Sequence, residues 1–301
     1  MNKNKILITG SCGFIGANLT RKLSYEKYKI ASLDRGDIND VSSIYSNKNH
    51  KFYLADLKDK HILDQIFQLE KPEIVIHLAL DKDDDCLATS NLIEASSKFG
   101  ISKIIYSSDS GVYGVNESIS SIRLDEKSKL NPTTKFIENK INCENLIKNS
   151  KLDYTIARLS TNYGSRQKSY NLIPGIIKAV LKNEEVQIPS ALSSQEYTHV
   201  HDTCSAFVSM MENISKNEIY NVSSNQEFGD MELAHEVCSI LEKYHGTKCQ
   251  HLVKYGSEKS QFEVNMNSDK LKSIGWQPLV KFKQGVEQTV DWFMSNQWCL
   301  K

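Results

Sequence analysis

Three glycines spaced three apart, Gly10, Gly13 and Gly16, interrupt an otherwise apolar opening, Lys5-Ile6-Leu7-Ile8-Thr9-Gly10-Ser11-Cys12-Gly13-Phe14-Ile15-Gly16. A strand that breaks into glycines and then enters a helix offers what a dinucleotide pyrophosphate needs. Bare backbone allows close approach, and a helix N-terminus supplies free N–H donors at the positive end of its dipole. A second apolar run, Lys29-Ile30-Ala31-Ser32-Leu33-Asp34, ends in an acid about twenty residues after the glycines, the separation at which a carboxylate accepts hydrogen bonds from ribose hydroxyls.

Such a cleft has to be positioned by a sheet. Runs of strand length recur at Lys51–Asp56, Glu73–Ala79, Lys103–Ser108 and Asp153–Leu159, separated by stretches of helical pattern. This alternation predicts an α/β fold, a doubly wound parallel sheet of Rossmann type with ligands at the C-terminal strand ends. Pro174, Pro189, Gly229, Gly246 and Gly275-Trp276-Gln277-Pro278 punctuate a less regular later region, expected to form a smaller C-terminal lobe over the sheet edge. The division expected is residues 1–165 plus 199–224 for the dinucleotide-binding domain and 166–198 plus 225–301 for the substrate lobe.

The 301 residues carry 37 Lys and Arg against 37 Asp and Glu, so no net field draws the chain to nucleic acid or an anionic membrane. Hydrophobic content of 40% and charged content of 25% suit a globular chain with a large core. The opening runs straight into the first strand pattern, so no signal peptide is expected. The seven cysteines are odd in number, scattered and free of any C-x-x-C pair, and both features are expected of a cytoplasmic protein with reduced thiols. Asp83-Asp84-Asp85 is expected to be a solvated turn, not a metal site.

Further motifs follow in order: Ala55-Asp56-Leu57, His77-Leu78-Ala79, Ser107-Ser108-Asp109-Ser110-Gly111-Val112-Tyr113-Gly114, Lys140-x-x-x-Glu144, Arg158-Leu159-Ser160-Thr161-Asn162-Tyr163-Gly164, Asn171-Leu172-Ile173-Pro174, His199-Val200-His201-Asp202 and Ile274-Gly275-Trp276-Gln277-Pro278. With the glycine run, they make the chain resemble the extended short-chain dehydrogenases/reductases of the nucleotide-sugar epimerase/dehydratase family, of UDP-glucose 4-epimerase type, over almost its whole length. The resemblance implies NAD lying along the first half, with its pyrophosphate at Gly10, Gly13, Phe14, Ile15 and Gly16. Asp34 would bind the adenosine ribose, Asp56 and Leu57 would line the adenine pocket, and Leu78 and Ala79 would pass beneath the cofactor. NAD is favoured over NADP because the Asp34 carboxylate repels a 2′-phosphate, although the adjacent Arg35 offsets part of that repulsion. His199-x-His201-Asp202 matches a structural strand segment of the family, so no metal is expected there.

Lys140 resembles the lysine that hydrogen-bonds the nicotinamide ribose and lowers the pKa of a catalytic tyrosine one helical turn earlier, the i, i+4 spacing that lets two side chains meet. That earlier position is Phe136. A phenyl ring carries no proton, so the general base that takes the sugar hydroxyl hydrogen is missing from its expected place. Two explanations stand side by side: a chain that binds without turning over, or a replaced tyrosine that traps substrate in an otherwise competent site. Thr133, Thr134 and Tyr113 lack the spacing to Lys140 and are expected to be structural. Counting back from Tyr113, the usual hydroxyl position falls on Asp109. Ser108 is the expected donor, and Asp109 is either an acid of its own or a turn cap. The loop resembles the Thr-Asp-Glu run of sugar 4,6-dehydratases, but Ser110 follows and the glutamate is absent, which disfavours dehydration.

The substrate side departs from the family pattern as well. Thr161 stands in place of a phosphate-binding asparagine and Gln195 in place of an arginine, whose fork glutamine cannot replace. Asn171 keeps its expected position, and Arg166 and Lys168 are substitute candidates for the phosphates. The connection from Leu80 to Asn91 is shorter than the family usually has, which bears on the sugar pocket and leaves a homodimer open. The reading that follows is C4 epimerisation of a nucleotide sugar by transient oxidation. The alternatives are an NAD(P)H-dependent 4-keto-sugar reductase and a non-catalytic NAD-binding protein.

Overall fold

The computed structural model describes residues 5–26, 28–36, 48–80, 85–114, 123–188, 194–213, 215–256 and 264–300. Pro189 and Asp81, Lys82, Asp83 and Asp84 lie outside them. The first half alternates as its sequence pattern predicts: β1 (Lys5–Thr9), α1 (Phe14–Tyr25), β2 (Lys29–Asp34), β3 (His50–Leu54), α2 (Lys60–Glu70), β4 (Ile74–His77), α3 (Asp85–Lys98), β5 (Lys103–Asp109), α4 (Lys135–Lys148) and β6 (Tyr154–Leu159). The second half contains β7 (Thr161–Tyr163), α5 (Leu172–Lys182), β8 (Val186–Ile188), β9 (Ser194–His199), α6 (Val200–Glu212), β10 (Glu218–Val222), β11 (Glu227–Gly229), α7 (Asp230–His245), β12 (Val253–Tyr255), α8 (Asp269–Lys272) and α9 (Phe282–Ser295).

Seven parallel strands in the order β10-β6-β5-β4-β1-β2-β3 form the main sheet. Helices cover both faces, so the central strands are continuous apolar runs without alternation, and Ile6, Leu7 and Ile8 of β1 are all fully buried. One core lies on each face: Leu19, Leu23 and Phe207 pack with Ile6 and Ile8, while Leu63, Phe67 and Leu92 pack with Leu7 and Val75. The strand order reverses between β1 and β4, the crevice where open parallel sheets bind ligands.

A separate core joins α5, α7 and α9 around Ile176, Leu233, Val286 and Phe293. Two small sheets flank it: β11-β9-β7, with β11 antiparallel to β9, and β12 parallel to β8. Trp276 departs from the division expected from sequence. It is 2% exposed in the main sheet's core, where its indole N–H donates to the Asp202 carbonyl at 3.0 Å. Asp202 in turn accepts the backbone N–H groups of Leu279 and Val280, stapling that segment to α6.

Candidate functional site

At the C-terminal ends of β1, β2 and β4 a cleft of about 320 Å³ is lined by Gly10, Asp34, Arg35, Asp56, Leu57 and Ala79, among others. Residue type is forced at two glycines. Gly10 sits at φ +73°, and a Cβ there would lie 2.5 Å from the Ala79 nitrogen; at Gly16 a Cβ would lie 2.0 Å from the Gly10 carbonyl oxygen. Gly13 caps α1 without a side-chain hydrogen bond, leaving the first N–H groups of the helix, from Phe14 and Ile15, for an anion. Among the described residues, Asp34 is held by backbone alone: Cys12 N–H donates to Oδ2 at 2.8 Å and Gly36 N–H to Oδ1 at 2.7 Å, which leaves lone pairs on both oxygens. Arg35 extends toward Asp56 at 3.9 Å, and Leu57 is buried beside it.

Leu78 and Ala79 form the floor. Leu78 N–H donates to the Thr9 carbonyl at 3.2 Å, and Ala79 N–H to the Thr9 hydroxyl at 3.3 Å. The Thr9 hydroxyl also meets His77 Nδ1 at 2.8 Å, and His77 Nε2 meets the Thr89 hydroxyl at 3.1 Å, tying β1 and β4 to α3. Burial pushes the His77 imidazole down to about 4.

A second constellation lies at the end of β5, under α4. The Thr134 hydroxyl caps α4 by accepting the Ile137 N–H, and the helix turn then sets Phe136 and Lys140 on one side. Lys140 is 7% exposed; its ammonium donates to the Ser107 carbonyl at 3.2 Å and lies 3.7 Å from Asp85. The same ammonium stands 5.9 Å from the centre of the Phe136 ring, and that ring is 43% exposed. Asp85 therefore is not a solvated turn residue. It is 2% exposed in the first turn of α3, with the Lys140 ammonium 3.7 Å away.

Ser108, expected as donor to a substrate oxygen, gives its hydroxyl to Glu144 at 2.7 Å and is 3% exposed. Glu144 also takes two hydrogen bonds from Arg158, Nε to Oε1 at 3.0 Å and Nη2 to Oε2 at 2.8 Å. Burial works against this carboxylate, but Arg158, Ser108 and Lys148 outweigh it and hold its pKa below the ordinary value. Tyr113 donates to Asn221 at 2.6 Å and accepts from Arg158, so its oxygen is structural. Asp109 caps the turn Ser110–Tyr113 through the Gly111 N–H at 2.7 Å, and burial raises its pKa against the opposing pull of that N–H and of Lys140.

Two of the residues expected to hold substrate meet directly. Thr161 donates to the Gln195 carbonyl oxygen at 2.7 Å; the Gln195 amide donates to Tyr197 at 2.8 Å and to Asp230 at 3.3 Å. An acid thus stands beside the glutamine that replaces an arginine. Asn171 precedes α5 and donates to the Lys168 carbonyl at 3.0 Å. Arg166, at φ +70°, lies over the Trp292 ring and lines a hollow of about 310 Å³ with Cys12, Lys168, Tyr170 and Trp298. Lys168 lines that hollow and the Asp34 cleft together, so the two share a wall. The burial of Asp85 against Lys140 was not expected from sequence; a carboxylate at a helix start beside a lysine motif was the available signal.

Among the described residues, no group of three or more His, Cys, Asp and Glu is arranged to hold a metal ion, and no helix is long and apolar enough to cross a membrane.

Residues 6–223 match the model of a family described as "NAD dependent epimerase/dehydratase family". The dTDP-D-glucose 4,6-dehydratase of Mus musculus is 28% identical, over 97% of this chain and 89% of that protein. The crystal structure of dTDP-glucose 4,6-dehydratase from Bacillus anthracis in complex with NAD superposes with a TM-score of 0.90 at 26% identity, covering 99% of this chain and 100% of that one. The UDP-glucose 4-epimerase of Thermotoga maritima with UDP-glucose gives 0.85 at 25%, covering 97% and 99%.

Proposed function

Given that this chain belongs to the NAD dependent epimerase/dehydratase family, we propose that it binds NAD in the Gly10–Asp34 cleft and a nucleotide sugar at the Lys140–Phe136 corner. Its scaffold is that of an epimerase acting by transient oxidation at C4, with the proton acceptor removed. The observation that carries this reading is Phe136, whose half-exposed ring lies one turn before a buried Lys140 ammonium. NAD, when bound, supplies the hydride acceptor and donor for such an oxidation. The uncapped N–H groups of α1 would hold the pyrophosphate, the free lone pairs of Asp34 would accept hydrogen bonds from the ribose hydroxyls, and Leu78 and Ala79 would exclude water below.

Lys140 holds positive charge at the corner where a sugar alkoxide would form, but Phe136 leaves no group there to take the hydroxyl proton. Dehydration is the weaker reading, because Ser110 and Gly111 supply no acid after Asp109.

The test restores the phenol. Phe136→Tyr is expected to raise turnover on a panel of sugar nucleotides by at least about a hundredfold, the low end of a positioned acid or base. If the tyrosine variant stays inert toward every sugar nucleotide that the unmodified chain binds, the non-catalytic reading replaces this one. Calorimetry should also give tighter binding of NAD than of NADP, with the gap narrowed in Asp34→Ala; tighter NADP binding by the unmodified chain would overturn the cofactor assignment.

A further inference from the structure

Beside the Lys140–Phe136 corner, α3 and α4 pack against each other, and two sulfurs meet between them. Cys86 stands in the first turn of α3, one residue after Asp85, and Cys143 stands on α4, three residues after Lys140. Their Sγ atoms are 3.8 Å apart. Access divides the pair: Cys143 is 0% exposed, whereas Cys86 is only half-buried.

The Cys143 thiol has a setting of its own. The Thr89 hydroxyl donates to its sulfur at 3.4 Å, and its S–H donates to Asp85 Oδ2 at 3.7 Å. Asp85 is the carboxylate that lies 3.7 Å from the Lys140 ammonium. Burial pushes the Cys143 thiol up, so it stays S–H in the resting chain with an acceptor for its proton already in contact. A second thiol couple, Cys238 and Cys249 in the core around α7, is 1% and 0% exposed, so neither member meets solvent.

We propose that Cys86 and Cys143 form an oxidative modification site, which takes a hydroperoxide and closes into a disulfide between α3 and α4. The thiol that solvent reaches reacts first. Cys86 Sγ attacks one oxygen of hydrogen peroxide, the O–O bond breaks, and the departing hydroxide takes the thiol proton and leaves as water; Cys86 is then a sulfenic acid. Cys143 Sγ attacks the Cys86 sulfur and passes its proton to Asp85; the S–O bond breaks, and the hydroxide leaves with that proton as a second water. Two thiols have given up two electrons, and one peroxide has become two waters. A disulfide needs its sulfurs about 2.0 Å apart, so closure draws the start of α3 toward α4. It also removes the S–H that Asp85 accepts beside Lys140. The thiol pair stands apart from the reading of Phe136, but its effect on sugar-nucleotide affinity rests on that reading, and the two are measured separately.

Hydrogen peroxide added to the full folded chain is the probe. Tryptic peptides 83–98 and 141–148 contain Cys86 and Cys143 and no other cysteine. Non-reducing mass spectrometry is expected to find them joined with the loss of two hydrogens, and separate again after dithiothreitol. In Cys143→Ser the reaction stops at the sulfenic acid, which dimedone traps on peptide 83–98; in Cys86→Ser the buried Cys143 stays unlabelled. Circular dichroism establishes that each variant is folded. Calorimetry on the oxidised chain should give sugar-nucleotide binding weaker by about fivefold or more, the low end of coupling between linked sites, and restored by dithiothreitol. Unjoined peptides, or Cys86 paired with a different cysteine, overturn the site. Joined peptides with unchanged sugar-nucleotide affinity overturn its link to Lys140. A reduced chain that binds no sugar nucleotide tells against the substrate proposed above, and the peptide map then decides the thiol pair by itself.

Discussion

The two ends of the same crevice are shaped by different forces. At the ends of β1 and β2, backbone defines the walls: Gly10 and Gly16 admit no Cβ, and Asp34 is fixed by two main-chain N–H groups. At the end of β5 and along α4, buried charge defines them: Lys140 rests against Asp85, and Glu144 against Arg158 and Ser108. A backbone-built wall tolerates little change in residue type, whereas a wall of paired side chains can keep its shape after its reactive group is gone. Phe136 illustrates the second case, because neither the Lys140 contacts nor the Glu144 cluster uses a phenolic oxygen at that position.

The largest effect expected from breaking this contrast falls on stability. Arg158→Met leaves the fully buried Glu144 carboxylate without its bidentate partner, and removing one member of a buried pair costs about 3–5 kcal/mol. Urea unfolding should give a smaller loss for the double variant Glu144→Gln/Arg158→Met than for Arg158→Met alone. A single variant as stable as the unmodified chain would mean that the cluster does not hold this corner together.

Next comes Phe136→Tyr, already expected to add about a hundredfold in turnover. What sharpens the comparison is the effect on the other end. With no contact shared between Phe136 and the Asp34 cleft, the two should be additive, and NAD affinity should stay within about twofold. A large change in NAD binding would show that the two ends are not independent.

His77 lies between them, bonded to Thr9 on one side and Thr89 on the other. Its folded-state pKa of about 4 is below the unfolded value of 6.5, so as pH falls the unfolded chain takes the proton first. Stability is therefore fully present above about pH 6.5 and is lost as pH falls toward 4, by about 1.4 kcal/mol per pH unit for this one group. His199, also lowered, acts in the same direction. Urea unfolding between pH 6 and 4.5, inside that window, should show this slope, reduced in His77→Gln; an unchanged slope in that variant removes His77 as its source.

The same contrast explains what the sequence made legible. Gly10, Gly16 and Asp34 were readable because local geometry dictates their type, and the Phe136–Lys140 register because helical spacing alone brings those side chains together. The inward turn of the Ser108 hydroxyl, the burial of Asp85 and the packing of Trp276 into the main core depend on partners from distant segments. Counting along the chain assigned Ser108 to substrate and Asp85 to solvent, since a hydroxyl or carboxylate has no sequence mark for which way it faces. Only assembly of α3 and α4 over β5 decides that.

Lys168 gives the smallest effect and the finest discrimination. Sequence position within the Arg166–Asn171 loop assigns it to substrate phosphates, but in the fold it lines the cleft that holds Asp34 and Cys12. The side chain is exposed, so its attraction for a dinucleotide phosphate is screened and amounts to about 0.5–1 kcal/mol. Lys168→Ala should thus weaken NAD by about two- to fivefold at low salt, less at high salt, and leave sugar-nucleotide affinity unchanged. Both affinities can be measured on one preparation by calorimetry at two ionic strengths. If sugar-nucleotide binding falls while NAD binding holds, this loop serves the substrate end after all, and the boundary between the two kinds of wall has to be moved past Cys12.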